Sequence, residues 1–107
     1  MEYLYVDHLE VGDSIYVAGG NYLMLGIFIG KGRGTIQYYT IGGILYAKES
    51  EKKHNKPYKI YKTYVSETSK WRIAKVKNPI FNTIEQKEEY EEAVEFLIEK
   101  GIIKHKN

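Results

Sequence analysis

The 107-residue chain has no cysteine, which excludes a disulfide scaffold, a thiol nucleophile and every thiolate metal site. It has no apolar run approaching the ~18 residues of a membrane span. The opening Met1-Glu2-Tyr3-Leu4-Tyr5 lacks the basic start and apolar core of a signal peptide. Arginine is scarce: Arg33 and Arg72 stand against 14 lysines. Because arginine is the side chain suited to bidentate reading of guanine and to phosphate forks, its scarcity argues against sequence-specific readout of a duplex. These absences lead to the expectation of a cytoplasmic protein with no membrane segment, forming a single domain over residues 1–107.

What is present looks globular. The chain is 43% hydrophobic and 28% charged, near the averages for folded domains. Eleven tyrosines outnumber the three phenylalanines and one tryptophan together. An abundance of Lys, Ile and Tyr is also what an AT-rich genome produces. The net charge of +2 hides an uneven distribution. Residues 1–47 carry −2, residues 48–82 carry +7 and residues 83–107 carry −3. A basic middle is therefore followed by an acidic end.

Hydrophobic spacing predicts strands through the first two-thirds, all within residues 3–77. Ile15 and Val17 alternate with Ser14 and Tyr16. Leu23, Leu25, Ile27 and Ile29 alternate with Tyr22, Met24, Gly26 and Phe28, a sustained period of two. Ala18-Gly19-Gly20-Asn21 and Lys31-Gly32-Arg33-Gly34 supply the turns on either side. Thr35–Ile41, Ile44–Ala47, Tyr58–Val65 and Trp71–Lys77 complete the expected strands, with Gly42-Gly43 as a turn and Lys48–Pro57 as the longest loop. Asn78-Pro79 ends the last strand, since proline cannot donate to a ladder. The period then changes. Tyr90, Ala93, Val94, Leu97 and Ile98 follow helical spacing, with Glu on the opposite face. Asn82 or Thr83 caps this helix, with Glu85 or Gln86 completing a capping box, and Gly101 ends it in a Schellman motif before a short tail at 102–107. The expected fold is mainly β with one C-terminal helix (α+β). Five or six antiparallel strands form a small, partly open barrel capped by a helix at about 84–100, with bends marked by Gly12 and Gly26.

The run Leu9-Glu10-Val11-Gly12-Asp13-Ser14-Ile15-Tyr16-Val17 resembles the opening of SH3-like small barrels, and residues 9–41 carry the likeness. In the KOW-type branch of that group the Gly-Asp strand leads into a glycine-bearing loop, and the module contacts RNA or protein. Here Leu23-Met24-Leu25 occupies that loop position and Gly26 is out of register. The resemblance thus implies a fold class and transfers no functional residue.

No catalytic constellation emerges. His8, His54 and His105 are far apart, and no serine sits in a Gly-x-Ser-x-Gly elbow. Asp7 beside His8 is an orienting pair without a third member. Metal-ligand spacings are missing, and the glutamates at 85, 88, 89, 91 and 92 lie opposite the apolar stripe of their helix, as on a solvated face. Gly30-Lys31-Gly32-Arg33-Gly34 lacks dinucleotide-loop spacing and precedes a strand, so it reads as a hairpin tip bearing two cations. No cofactor and no metal are expected.

The chemistry that remains is binding. Lys59, Tyr61, Lys62 and Tyr64, together with Lys70, Trp71 and Arg72, interleave rings and cations, the mixture with which single-strand binders track phosphates and stack bases. Lys31 and Arg33 extend the candidate surface. Two simpler arrangements would leave no such surface: the rings are core, or the Glu-rich helix covers the basic segment and neutralises it. The leading expectation is a non-enzymatic barrel acting through protein–protein interaction or self-association, as an accessory or inhibitor protein of a phage or mobile element. The alternative is a single-stranded nucleic-acid or RNA-binding module. The side on which the helix packs decides between an open basic face and a covered one.

Overall fold

The computed structural model describes residues 8–104, and of Lys70 and Trp71 the backbone alone. Any strand beginning at residue 3, Asp7, His105 and the end of the C-terminal tail lie outside the described residues. The chain runs β1 (Ser14–Gly19), β2 (Tyr22–Gly32), β3 (Thr35–Thr40), α1 (Ile41–His54), β4 (Thr63–Ser66), a 3₁₀ segment (Glu67–Arg72), β5 (Ile73–Val76) and α2 (Ile84–Glu99). Five strands form one open antiparallel sheet in the order β4-β3-β2-β1-β5.

The long β2 holds this sheet together. Its first half, Tyr22–Ile27, pairs with β1, and its second half, Gly26–Gly32, pairs with β3. Between Phe28 and Gly30 the register shifts, and Gly30 there has φ 149. A bulge of this kind bends a strand and increases its twist. The bend thus falls at Gly30 instead of the expected Gly26, and Gly26 has a different task. A Cβ at that position would fall 2.6 Å from the Tyr38 ring, so glycine is what allows that ring to lie across β2.

The second helix is the main correction to the sequence reading. Ile44–Ala47, expected as a strand, and residues 48–54 of the expected Lys48–Pro57 loop both lie in α1. Thr40 caps this helix by accepting from the Gly43 amide at 3.0 Å. Glycine at 43 leaves room for this cap, because a Cβ there would sit 2.9 Å from Thr40 Oγ1. Lys52, Lys53 and His54 fill the last turn, and Asn55 closes it in the left-handed region at φ 51, in keeping with the dipole and C-cap preferences. Ile44 and Ala47, three residues apart, are its buried residues. Gly42-Gly43 resembles a turn and the Ile-Leu-Tyr run resembles a strand, and these local signals mask the cap and the spacing.

α2 forms as its pattern dictates. Thr83 accepts from the Gln86 amide at 3.1 Å, and Gln86 reaches back to the Asn82 amide at 2.9 Å. At the other end Gly101 (φ 72) donates to Ile98 and Ile102 donates to Leu97, the two bonds of a Schellman motif.

The apolar side chains divide into two clusters on opposite faces of the sheet. On one face lie Ile15, Val17, Phe28, Ile36, Tyr38, Val65 and Ile73. On the other face Ile27 and Tyr39 meet Ile44, Ala47, Ile60, Ala93, Phe96, Leu97 and Ile103 under the two helices. This division explains why Tyr58–Val65 shows no clean alternation. Tyr58 and Ile60 pack with the helices while Val65 joins the opposite cluster. The chain crosses from one cluster to the other, so only Thr63–Ser66 pairs as a strand. Similarly, the expected Trp71–Lys77 strand shortens to Ile73–Val76 because Glu67–Arg72 winds into the 3₁₀ segment.

Candidate functional site

α2 packs against α1 and one face of the sheet, and Tyr58 and Ile60 of the basic segment join the same apolar cluster while the lysines beside them stay exposed. The glutamates of α2 meet few cations: Glu92 bonds Lys48 of α1 at 2.9 Å, and Glu91 lies 4.0 Å from Lys87 within the same helix. Lys100, just beyond α2, pairs with Glu51 of α1. Lys75 on β5 pairs with Asp13 at 3.3 Å. Asp13 is buried and also accepts from the Glu10 amide at 2.8 Å. The aspartate of the Gly12-Asp13 pair thus staples the turn that leads into β1.

Between Glu51 and Glu67 no acidic residue occurs, while Lys52, Lys53, Lys56, Lys59 and Lys62 do. All five lysines are exposed, and among the described residues none of them forms an ion pair. Rings accompany them. Tyr46 is 65% exposed, Tyr61 69% and Tyr64 58%. Tyr46 meets Tyr58 edge-on at 5.8 Å, and Lys59 Nζ lies 5.6 Å from the centre of the Tyr61 ring. A hydrogen bond with Tyr46 raises the Tyr58 hydroxyl above its ordinary value, with the neighbouring Tyr46 and Tyr61 hydroxyls acting in the same direction. Tyr58 and Ile60 anchor this strip to the helices, and the alternate residues Lys59 and Tyr61 remain in solvent.

The nine residues expected from the sequence therefore separate. Lys59, Tyr61, Lys62 and Tyr64 stand together, exposed, on the α1–β4 connection and the edge strand β4. Arg33 is exposed at the β2–β3 turn and Lys31 is exposed near the end of β2. Lys70 and Trp71 have their backbone in the 3₁₀ segment, and their side chains lie outside the described residues. Arg72 turns inward, where its Nε donates to the Ala18 carbonyl at the end of β1.

Sequence reasoning missed two concavities. One, of about 300 Å³, opens at the seam between β1, β3, β4 and the 3₁₀ segment, and Tyr22, Tyr38, Thr63, Ser69 and Arg72 are among its walls. A Cβ on Gly19 would lie 2.8 Å from the Tyr22 hydroxyl and 3.0 Å from an Arg72 Nη, so both groups close on β1 at this glycine. Burial raises the Tyr38 hydroxyl above its ordinary value; Tyr22 adds to this and Arg72 opposes it. The other is a groove of about 770 Å³ between the β1–β2 hairpin, the start of α1 and the first half of α2, which includes Tyr16, Tyr22, Leu23, Ile80, Phe81 and Tyr90. Ser14 Oγ and the Tyr90 hydroxyl bond at 2.5 Å and fix α2 over β1. Only the residues' spacing in three dimensions unites these walls, so no sequence motif marks them.

Among the described residues no group of three His, Cys, Asp or Glu side chains is placed to hold a metal ion, and no helix is long and apolar enough to cross a membrane. Among the same residues no buried side-chain polar atom lacks a hydrogen-bond partner. No family model, curated protein or solved structure matches the chain.

Proposed function

We propose that the protein is a non-enzymatic binding module with an SH3-like, partly open barrel, and that its basic aromatic strip takes single-stranded nucleic acid. The strand order supports the barrel reading. β1 pairs with both the second strand and the last, and the apolar cluster on one face includes Val65 and Ile73 of the two edge strands, as in a sheet that curls. One observation carries the binding reading. Five exposed lysines accompany three exposed tyrosine rings between Tyr46 and Tyr64, and among the described residues none of these five lysines forms an ion pair. Lysines would follow the phosphates while the rings stack on bases, each stack being worth ~1–3 kcal/mol.

The test is a titration of a fluorescent ten-nucleotide single strand at several salt concentrations. With about four lysines engaged, the log–log slope is about −3, and each lysine-to-alanine change at 59 or 62 makes it less steep by ~0.7. Absence of binding at low salt, or a slope of zero, removes the reading.

A second reading, docking of a protein on the larger groove, rests on Leu23 and Ile80, which line it and are 53% and 84% exposed. Contiguous exposed apolar residues mark interaction surfaces. Association that survives high salt and is lost on Leu23→Asp distinguishes it from the first reading.

A further inference from the structure

We infer that the seam pocket beside the strip admits one unstacked guanine base and that Arg72 recognises it. This rests on the nucleic-acid reading above and gives it a base preference. The pocket's size is the first argument. At about 300 Å³ it lies at the lower end of the volumes that hold small ligands, and it suits a single base better than a folded segment.

Its location is the second argument. Thr63, Tyr64, Val65 and Ser66 of β4 form one wall, and these residues directly follow Lys59–Lys62 in the chain. A strand tracked along the lysines arrives at the mouth of the pocket. β4 is an edge of the sheet, so no neighbouring strand blocks that approach.

The third argument is the state of Arg72. Its Nε is committed to the Ala18 carbonyl, which fixes the guanidinium plane at the pocket wall. A guanidinium carries five N–H donors and no acceptor. The Nε bond uses one and leaves the end-on edge, with one N–H from each Nη, for a paired acceptor. Guanine offers such a pair in O6 and N7, whereas adenine sets an amino donor beside its N7. Tyr22, 61% exposed, supplies a flat surface at the same site. Two arginines are too few to read a duplex, yet one held rigidly in a cleft is enough to read one splayed base.

The experiment compares uridine decamers that carry, at one central position, uridine, guanosine, adenosine, cytidine or 7-deazaguanosine. The expected result is that guanosine tightens binding at least about fivefold over uridine, since a good bidentate pair discriminates by ~1–3 kcal/mol. 7-Deazaguanosine, which lacks the N7 acceptor, loses most of that gain on the unaltered protein. Arg72→Lys retains the charge but loses the guanosine preference, read as the ratio of guanosine-decamer to uridine-decamer affinity on the same variant. Circular dichroism of Arg72→Lys confirms that it is folded, and the 7-deazaguanosine arm needs no variant at all. Equal affinity for all five oligomers overturns the pocket and leaves the strip reading standing. So does a preference for adenosine or cytidine, or a guanosine preference that Arg72→Lys keeps. Failure of every oligomer to bind removes the strip reading and the pocket with it.

Discussion

The acidic helix α2 and the basic stretch from Lys52 to Ser66 carry opposite charge, yet they are held in the protein by different means. α2 is placed by its apolar face: Ala93 and Leu97 are fully buried and Phe96 nearly so. The basic stretch is placed by two anchors, Tyr58 and Ile60, and leaves its lysines and remaining rings in solvent. Apolar burial is worth ~25 cal/mol per Å² removed from water, while an exposed ion pair contributes ~0–1 kcal/mol. The comparison teaches that the helix goes where its hydrophobic stripe finds α1 and the sheet. Charge complementarity with the basic stretch is too weak to redirect it.

The largest effect that tests this contrast is expected from Leu97→Ala. Truncating a leucine with no exposure costs ~2–5 kcal/mol through lost transfer energy and the cavity left behind, read by urea denaturation. Tyr61→Ala, at 69% exposure, is expected to change stability by less than ~0.5 kcal/mol while weakening oligonucleotide binding. If Tyr61→Ala unfolds the protein as readily as Leu97→Ala does, the two regions are not held differently.

Alkaline titration sharpens the comparison through tyrosine. Burial raises Tyr38 and Tyr39 above the ordinary value of 10.0. In the unfolded chain these hydroxyls lose their protons near pH 10, whereas the folded state keeps them protonated to higher pH. The folded state therefore binds more protons over that window, and stability falls as pH rises from about 10 through the folded-state values. The expected phenolate absorbance has a main transition near pH 10 and a late component that appears together with loss of the near-ultraviolet dichroism. Tyr38→Phe and Tyr39→Phe each diminish the late component. A late component that both variants leave unchanged contradicts the assignment.

The smallest effect is expected at Lys48–Glu92, the pair that joins the acidic helix to α1. The hydrogen bond that Lys48 donates to Glu92 raises the Lys48 ammonium above its ordinary value, but both side chains are substantially exposed. A double-mutant cycle with Lys48→Ala and Glu92→Ala should give a coupling of ~0.2–1 kcal/mol that shrinks in high salt. A coupling of several kcal/mol would mean that charge, and not the apolar stripe, positions α2.

The elements legible in the sequence are those whose signals are local. Ile27 and Ile29 lie within a long alternation, and β2 follows it. Thr83, Gln86 and Gly101 bracket a helical spacing, and α2 runs between them with the anticipated cap and Schellman bonds. α1 is obscured because its first turn is Gly42-Gly43, whose local preference is for a turn. Packing of Ile44 and Ala47 against Ile27, Tyr39 and α2 overrides that preference. The short β4 is obscured because residues of one segment enter two different cores. The exposed group Lys59, Tyr61, Lys62 and Tyr64 is legible as a mixture of rings and cations. Tyr22, Tyr38 and Ser69 are not, because they come from three separate segments and meet only at the seam pocket.

The sequence by itself determined the chain's absences, the strands of the first hairpins, the last helix with both its caps, and the segregation of charge into a basic middle and an acidic end. These depend on neighbours in the chain, on the period of two or 3.6 and on which side chains can cap or turn. Tertiary structure alone decided that a second helix forms after β3, that Arg72 turns inward to β1, and that α2 leaves the lysines of the basic strip uncovered. Each of these outcomes depends on apolar surfaces distant in sequence meeting one another, and the area buried there outweighs both local turn preference and the attraction between exposed charges.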